Sequence, residues 1–136
     1  MYPPELVAPM KAELADAGFR ELLTVEDVND ALEDQGTTLV AINSVCGCSA
    51  GSMRPAVIQA LENEKTPNNI TTAFAGVDGD AVAHVRKFML PYPPSSPSIA
   101  LFKDGKLAMM VERHHIEGNT AEAIAAHLRL AFNEFC

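Results

Sequence analysis

The sequence predicts an α/β fold, in which a mixed four-stranded sheet carries helices on both faces behind an N-terminal helical extension. Three observations point there. Thr37 to Asn43 is a continuous β-branched and apolar run, the pattern of a central strand buried on both faces. A helical segment separates it from the next strand-like run, and crossovers of that kind join parallel strands. Asp104-Gly105 then stands between two further runs as a strong two-residue hairpin signal, which makes the last two strands antiparallel.

Residues 1–35 read as the helical extension. Leu6, Met10 and Leu14 recur every four residues, Pro9 should bend or restart the helix, and Gly18 is a plausible stop. Thr24 with Asp27 resembles a cap for a second short helix with Val25, Val28 and Leu32 on one face. Residues 37–136 then run β-α-β-α-β-β-α. A helix from Ser49 onward carries Val57, Ile58 and Leu61, and Pro55 should kink it by freeing the carbonyl of Gly51. Ile70 to Val77 is the second strand, and Asp78 to Asp80 can cap a helix bearing Val82, Val85, Phe88 and Met89. The stretch from Pro91 to Pro97 is too proline-rich for helix or interior strand. Ser98 to Lys103 and Lys106 to Glu112 form the hairpin. Asn119 with Glu122 caps a last helix whose apolar face is Ile124, Leu128, Ala131 and Phe135. This order is the minimal thioredoxin topology, a three-layer sandwich, and 136 residues suit a single domain with its own core.

Composition narrows the function. The net charge of −8 argues against nucleic acid and anionic membrane as partners. No apolar run is long enough to span a bilayer. The N-terminal residues lack a basic n-region and an apolar h-region, so the sequence predicts a cytoplasmic protein. In that compartment paired cysteines are more often catalytic or metal-binding than structural. Three cysteines is an odd count, and the terminal Cys136 is a poor staple.

Val45 to Gly51 reads Val-Cys-Gly-Cys-Ser-Ala-Gly at the predicted strand-to-helix junction. There the helix dipole and its free N–H groups favour a thiolate, which makes Cys46 the candidate nucleophile and Cys48 the resolving thiol. In a loop, with Gly47 supplying backbone freedom, the two sulfurs can pair. The small ring would be strained and so more oxidising than a C-x-x-C pair, suited to exchange or isomerisation. Packing as small hydrophobes is the competing reading, and the spacing at the junction favours redox work. Ser96-Pro97, entering a strand, is a candidate cis peptide beside the cysteine loop, where it leaves the Ser96 backbone free to pair with an extended substrate.

Asn43 to Gly51, Arg54-Pro55, Ser95-Ser96-Pro97-Ser98 and Arg113-His114-His115-Ile116-Glu117-Gly118, in that order, resemble the bacilliredoxins, thioredoxin-fold proteins with a C-G-C centre. The resemblance runs the full length. It implies removal of bacillithiol from protein mixed disulfides. The Cys46 thiolate attacks, the client thiol leaves, and free bacillithiol or Cys48 clears the adduct. The implied partners are bacillithiolated client proteins, bacillithiol as thiol co-substrate with no cofactor bound, and a flavoprotein disulfide reductase that regenerates it. Weak disulfide isomerase activity is the alternative.

Within that frame Ser49 is a candidate hydrogen-bond donor to the thiolate. Arg54 either stabilises the thiolate or grips the anionic malate arm of bacillithiol, or else is simply salt-bridged. Gly47, Ser96 and Pro97 complete the expected substrate-binding set. Arg113, His114 and Glu117 read as an exposed loop capping the last helix rather than as a proton shuttle at the site. Tyr92 either walls the groove or packs in its loop. A rival from another class is a soft-metal site formed by the two thiolates with His114 or His115. No second cysteine motif supplies a full ligand set, so no metal is expected.

Overall fold

The computed structural model describes residues 2–33 and 35–136; Met1 and Asp34 of the expected helical extension lie outside them. The elements are α1 (Pro4–Ala15), β1 (Arg20–Glu21), α2 (Val25–Glu33), β2 (Thr37–Asn43), a π-helical turn (Ser49–Met53) running into α3 (Arg54–Ala60), β3 (Asn69–Phe74), α4 (Gly79–Lys87), β4 (Ser98–Lys103), β5 (Lys106–Val111), α5 (Arg113–Ile116) and α6 (Ala121–Phe135). The strands form one sheet in the order β1-β3-β2-β4-β5. The first three are mutually parallel, whereas β4 and β5 run antiparallel.

The mixed sheet thus matches the expectation, but it has five strands rather than four. Arg20–Glu21 adds a short parallel edge against Thr71 and Thr72. Two residues cannot display a period, so β1 left no trace in the hydrophobic pattern. The stretch 1–35 is therefore not purely helical: its second half contributes a strand and a helix to the sandwich.

β2 lies at the centre and all seven of its residues are buried. Leu39 and Ala41 face a layer built from α3, α6 and the end of α1, while Val40 and Ile42 face α2 and α4. Ile99 and Leu101 of β4 join the first layer, and Ala100 and Phe102 the second. Both faces are dry, which is why the strand reads as an unbroken apolar run. Met109 and Met110, expected to alternate between core and surface, alternate between the two layers instead, each half-buried.

The β4–β5 turn is as expected. Asp104 and Gly105 both have positive φ (52° and 79°), the geometry of a type I′ hairpin. A Cβ on Gly105 would come within 3.0 Å of the Leu32 carbonyl. The Asp104 carboxylate accepts the Gly36 N–H at 2.7 Å and ties the hairpin to the start of β2.

Several local expectations change. α1 runs unbroken through Pro9. Pro55 does not kink an α-helix; it opens α3 just after the π-helical turn, in whose closing bond the Arg54 N–H donates to the Ser49 carbonyl. A proline lacks the N–H that the next turn needs, and a first-turn position does not require one. The cap of α6 is Thr120, one residue beyond Asn119, with its hydroxyl accepting the Ala123 N–H. Asp78 precedes α4 but its carboxylate accepts from Phe74 N–H and Lys11 instead of capping the helix. Phe88 is exposed, whereas Val82, Val85 and Met89 are buried. Thr24 and Asp27 form the expected reciprocal cap.

Candidate functional site at the C-G-C loop

The register of the sheet assembles the site. Ile42 of β2 pairs with Ser98 of β4, so the chain leaving β2 through Ser44 and Cys46 passes beside the chain entering β4 through Ser96 and Pro97. Ser96–Pro97 is cis, as expected. Cys46 sits at the head of the helix, where its carbonyl accepts the N–H groups of Ser49 and Ala50. Cys48, one residue into the helix, packs against the core layer of α3 and α6. This offset brings the two sulfurs to 2.6 Å, although two residues apart within a regular helix would point them away from each other.

The loop is held from below by a buried polar cluster. The Asn43 amide oxygen accepts from the Ser44 N–H (2.9 Å), the Ser49 hydroxyl (3.0 Å) and Arg54 Nη1 (2.9 Å). Its amide nitrogen donates to the Met10 carbonyl of α1. Arg54 also donates from Nη1 to the Ser44 carbonyl and from Nε to Glu13. The guanidinium is buried at 3% exposure and fully engaged. Arg54 is therefore a positioning residue under the loop and not a substrate contact. Ser49 changes in the same way: its buried hydroxyl turns to Asn43 and Ser44, and only its backbone N–H serves the thiolate. Gly47 is exposed, keeps a backbone open to any residue, and a Cβ there would meet nothing. Glycine at this position leaves the surface above the thiols bare.

The residue that reaches the sulfur is Arg113, from the first turn of α5. Its Nη2 donates to Cys46 Sγ at 3.3 Å and Nη1 to the Ser96 carbonyl at 3.1 Å, while Nε binds Glu117. The expectation of an exposed loop without a role at the site is overturned for Arg113 and Glu117. Nothing local marks a contact across 67 residues; only the fold makes it. His114 points to solvent, and His115 spends Nδ1 on the Glu112 N–H as part of a capping box. Among the described residues the histidines group with Glu112 and not with the thiols, so the expected rival, a thiolate–imidazole metal site, is not assembled. Sequence reasoning gave Asn43 no part of its own, and it weighed Arg113 and Glu117 but set them aside.

The electrostatics separate the two thiols. The Cys48 thiol first, then the Cys48 backbone N–H, hold Cys46 below the ordinary cysteine range; burial opposes them, and the charge of Arg113 and the Ser49 N–H add smaller lowering effects. Burial, followed by the hydrogen bond to and the charge on Cys46, pushes Cys48 up. The opposite directions make Cys46 the more acidic thiol of the pair and Cys48 the less acidic one.

Above Cys46 lies an open groove of about 370 Å³, bordered by Tyr2, Ser44, Gly76, Ser96 and Arg113. The Tyr2 ring packs directly on Gly76, where a Cβ would come within 2.8 Å of it. Tyr2 forms this wall and Tyr92 does not line the groove. The Ser96 carbonyl, expected to be free, is taken by Arg113. A slightly larger hollow of about 420 Å³ between β5 and α6 contains His115, Asn119 and His127 but neither cysteine. The reactive chemistry picks out the groove over Cys46.

The family model described as disulphide isomerase matches residues 2–136. A bacilliredoxin of Cytophaga hutchinsonii is 58% identical across 98% of this chain and 99% of its own length. The chain belongs to the bacilliredoxin family. A second bacilliredoxin, from Halalkalibacterium halodurans, is 48% identical across 99% of this chain and 94% of its own length. Membership makes this bacilliredoxin-family chain a thiol–disulfide oxidoreductase. The fold is that of thioredoxin. Mitochondrial thioredoxin 3 of Saccharomyces cerevisiae superposes with a TM-score of 0.58 over 90% of this chain and 98% of its own at 10% identity. Thioredoxin O2 of Arabidopsis thaliana gives 0.56 over 86% and 96% at 16% identity. Among the described residues no helix is long and apolar enough to cross a membrane.

Proposed function

We propose that the protein removes bacillithiol from cytoplasmic proteins that carry it as a mixed disulfide, with Cys46 as nucleophile and Cys48 as resolving thiol. The observation that carries this reading is the asymmetry of the pair: Cys46 opens onto the groove with its pKa lowered, and Cys48 lies behind it with its pKa raised. The Cys46 thiolate attacks the bacillithiol sulfur. A Cys46–bacillithiol disulfide forms, the original disulfide breaks, and the client sulfur leaves with the electron pair and takes a proton from water. A second bacillithiol thiolate then attacks the adduct and releases Cys46 with oxidised bacillithiol. The implied flavoprotein reductase would return that product to the thiol.

Cys48 offers another exit. While Cys46 is a thiolate, its charge and its hydrogen bond both oppose ionisation of Cys48. Once Cys46 is tied into a neutral disulfide these two effects vanish while burial still opposes ionisation, so Cys48 becomes a better attacker of the adduct than it was before transfer. Its thiolate attacks Cys46 Sγ, bacillithiol leaves as a thiolate, and the resulting Cys46–Cys48 disulfide is returned to the dithiol by two further bacillithiol molecules, which leave as the oxidised dimer. The adjacency of the two sulfurs also supports the isomerase alternative, in which the pair cycles through an internal disulfide.

Release of client from a bacillithiol-capped protein in the presence of bacillithiol tests the assignment. Cys46→Ala abolishes release, and Cys48→Ala keeps a substantial part because free bacillithiol clears the adduct. Equal loss in both variants would assign the cycle to an obligatory internal disulfide.

A further inference from the structure

We propose that Arg113 is an anion clamp: as the small thiol is transferred to Cys46, the guanidinium passes from the thiolate to a carboxylate on that thiol and so selects acidic low-molecular-weight thiols over neutral or cationic ones. The proposal rests on the transfer reaction above and names the feature of the thiol that the site reads.

Arg113 has three occupied sides of unequal permanence. Glu117 holds Nε, the Ser96 carbonyl holds Nη1, and Nη2 rests on Cys46 Sγ alone. The first two partners take no part in the bonds that form and break. The third does: when the Cys46 sulfur bonds to the incoming sulfur, its negative charge departs with the client thiolate. Nη2 then faces a neutral disulfide, a weak acceptor. A carboxylate a few bonds from the transferred sulfur can reach Nη2 and restore a charge-assisted hydrogen bond. Arg113 is the one charged side chain among the described residues bordering the groove, on a chain of net charge −8. Arg54 cannot take the part, because its guanidinium is buried and bound to Glu13, Asn43 and Ser44.

The test uses the full chain and one cysteine peptide capped, as a mixed disulfide, with mercaptosuccinate, mercaptoethanol or cysteamine. Initial rates of peptide release give kcat/KM for each cap. The wild type prefers the mercaptosuccinate cap over mercaptoethanol by about five- to tenfold, with cysteamine slowest, as a charge-assisted hydrogen bond at a half-exposed site allows. Arg113→Gln slows every cap through the loss of thiolate stabilisation, and it also brings the preference close to one; Arg113→Lys keeps part of it. A second peptide, with Asp instead of Asn beside the capped cysteine, shows no comparable Arg113-dependent gain. The proposal is overturned if the wild type has no preference, if Arg113→Gln slows all caps by the same factor, or if the preference follows the peptide's carboxylate. In those cases transfer itself still stands. Release from no cap in the wild type overturns the transfer reaction, and the clamp with it.

Discussion

Two cysteines separated by a single glycine acquire opposite electrostatic environments through what each one touches. Cys46 receives the backbone N–H groups of the helix start, the Cys48 thiol and the Arg113 guanidinium. Cys48 receives burial and its neighbour's charge. A depressed pKa means that the Cys46 thiolate persists as pH falls below the ordinary cysteine range and is lost only through the lower folded value. Alkylation of Cys46 by iodoacetamide, followed by mass mapping, should therefore inflect below the pH seen for the unfolded chain, and Cys48 should inflect above it. Arg113→Gln should move the Cys46 inflection upward without abolishing the downward shift, since the hydrogen bonds of the helix start remain. An unmoved inflection would remove Arg113 from the site. At this scale the sequence exposed the pair and its place at the strand–helix junction, because a C-x-C there is a local pattern. It misplaced the Ser49 side chain, which turns inward to Asn43, it left Arg54 open between the site and an ion pair, of which the pair with Glu13 forms, and it set aside Arg113, whose contact exists only in the folded chain.

Among the elements, the junction of β2, the loop and the π-helical turn has the strictest polar bookkeeping. One amide oxygen on Asn43 accepts three donors, one of them a buried guanidinium. Asn43→Ala leaves Arg54 with Glu13 and one carbonyl, and leaves the Ser49 hydroxyl without its acceptor. A loss of about 2–4 kcal/mol in unfolding free energy is expected, at the level of breaking a buried charge-assisted cluster. Urea denaturation at neutral pH checks it, through a lower midpoint at an unchanged slope. A change under about 0.5 kcal/mol would show that the loop does not depend on this cluster. Element type was legible wherever the pattern was long: β2, the β4–β5 hairpin and α6 all carry clear periods or turn residues. The edge strand β1 and the π-helical turn were not, the first because two residues have no period and the second because it differs from an α-turn only in its hydrogen-bond register.

For the molecule as a whole, the three-layer sandwich brings the end of β2, the entry to β4 and the first turn of α5 to one rim, and places an open groove there. The order of helices and strands suffices to predict that rim, because right-handed crossovers leave few topologies for a β-α-β-α-β-β-α chain. What lines the rim depends on register and on a short helix after the last strand, neither of which the hydrophobic pattern specifies. The account's central claim is that Cys46 takes the small thiol while Cys48 waits behind it. Intact-mass spectrometry of the Cys48→Ser protein, mixed with a bacillithiol-capped client and then peptide-mapped, tests this most directly. The account predicts a single bacillithiol adduct on Cys46 and stoichiometric release of free client. An adduct on Cys136, a covalent complex in which the client itself is held, or no adduct at all would contradict it.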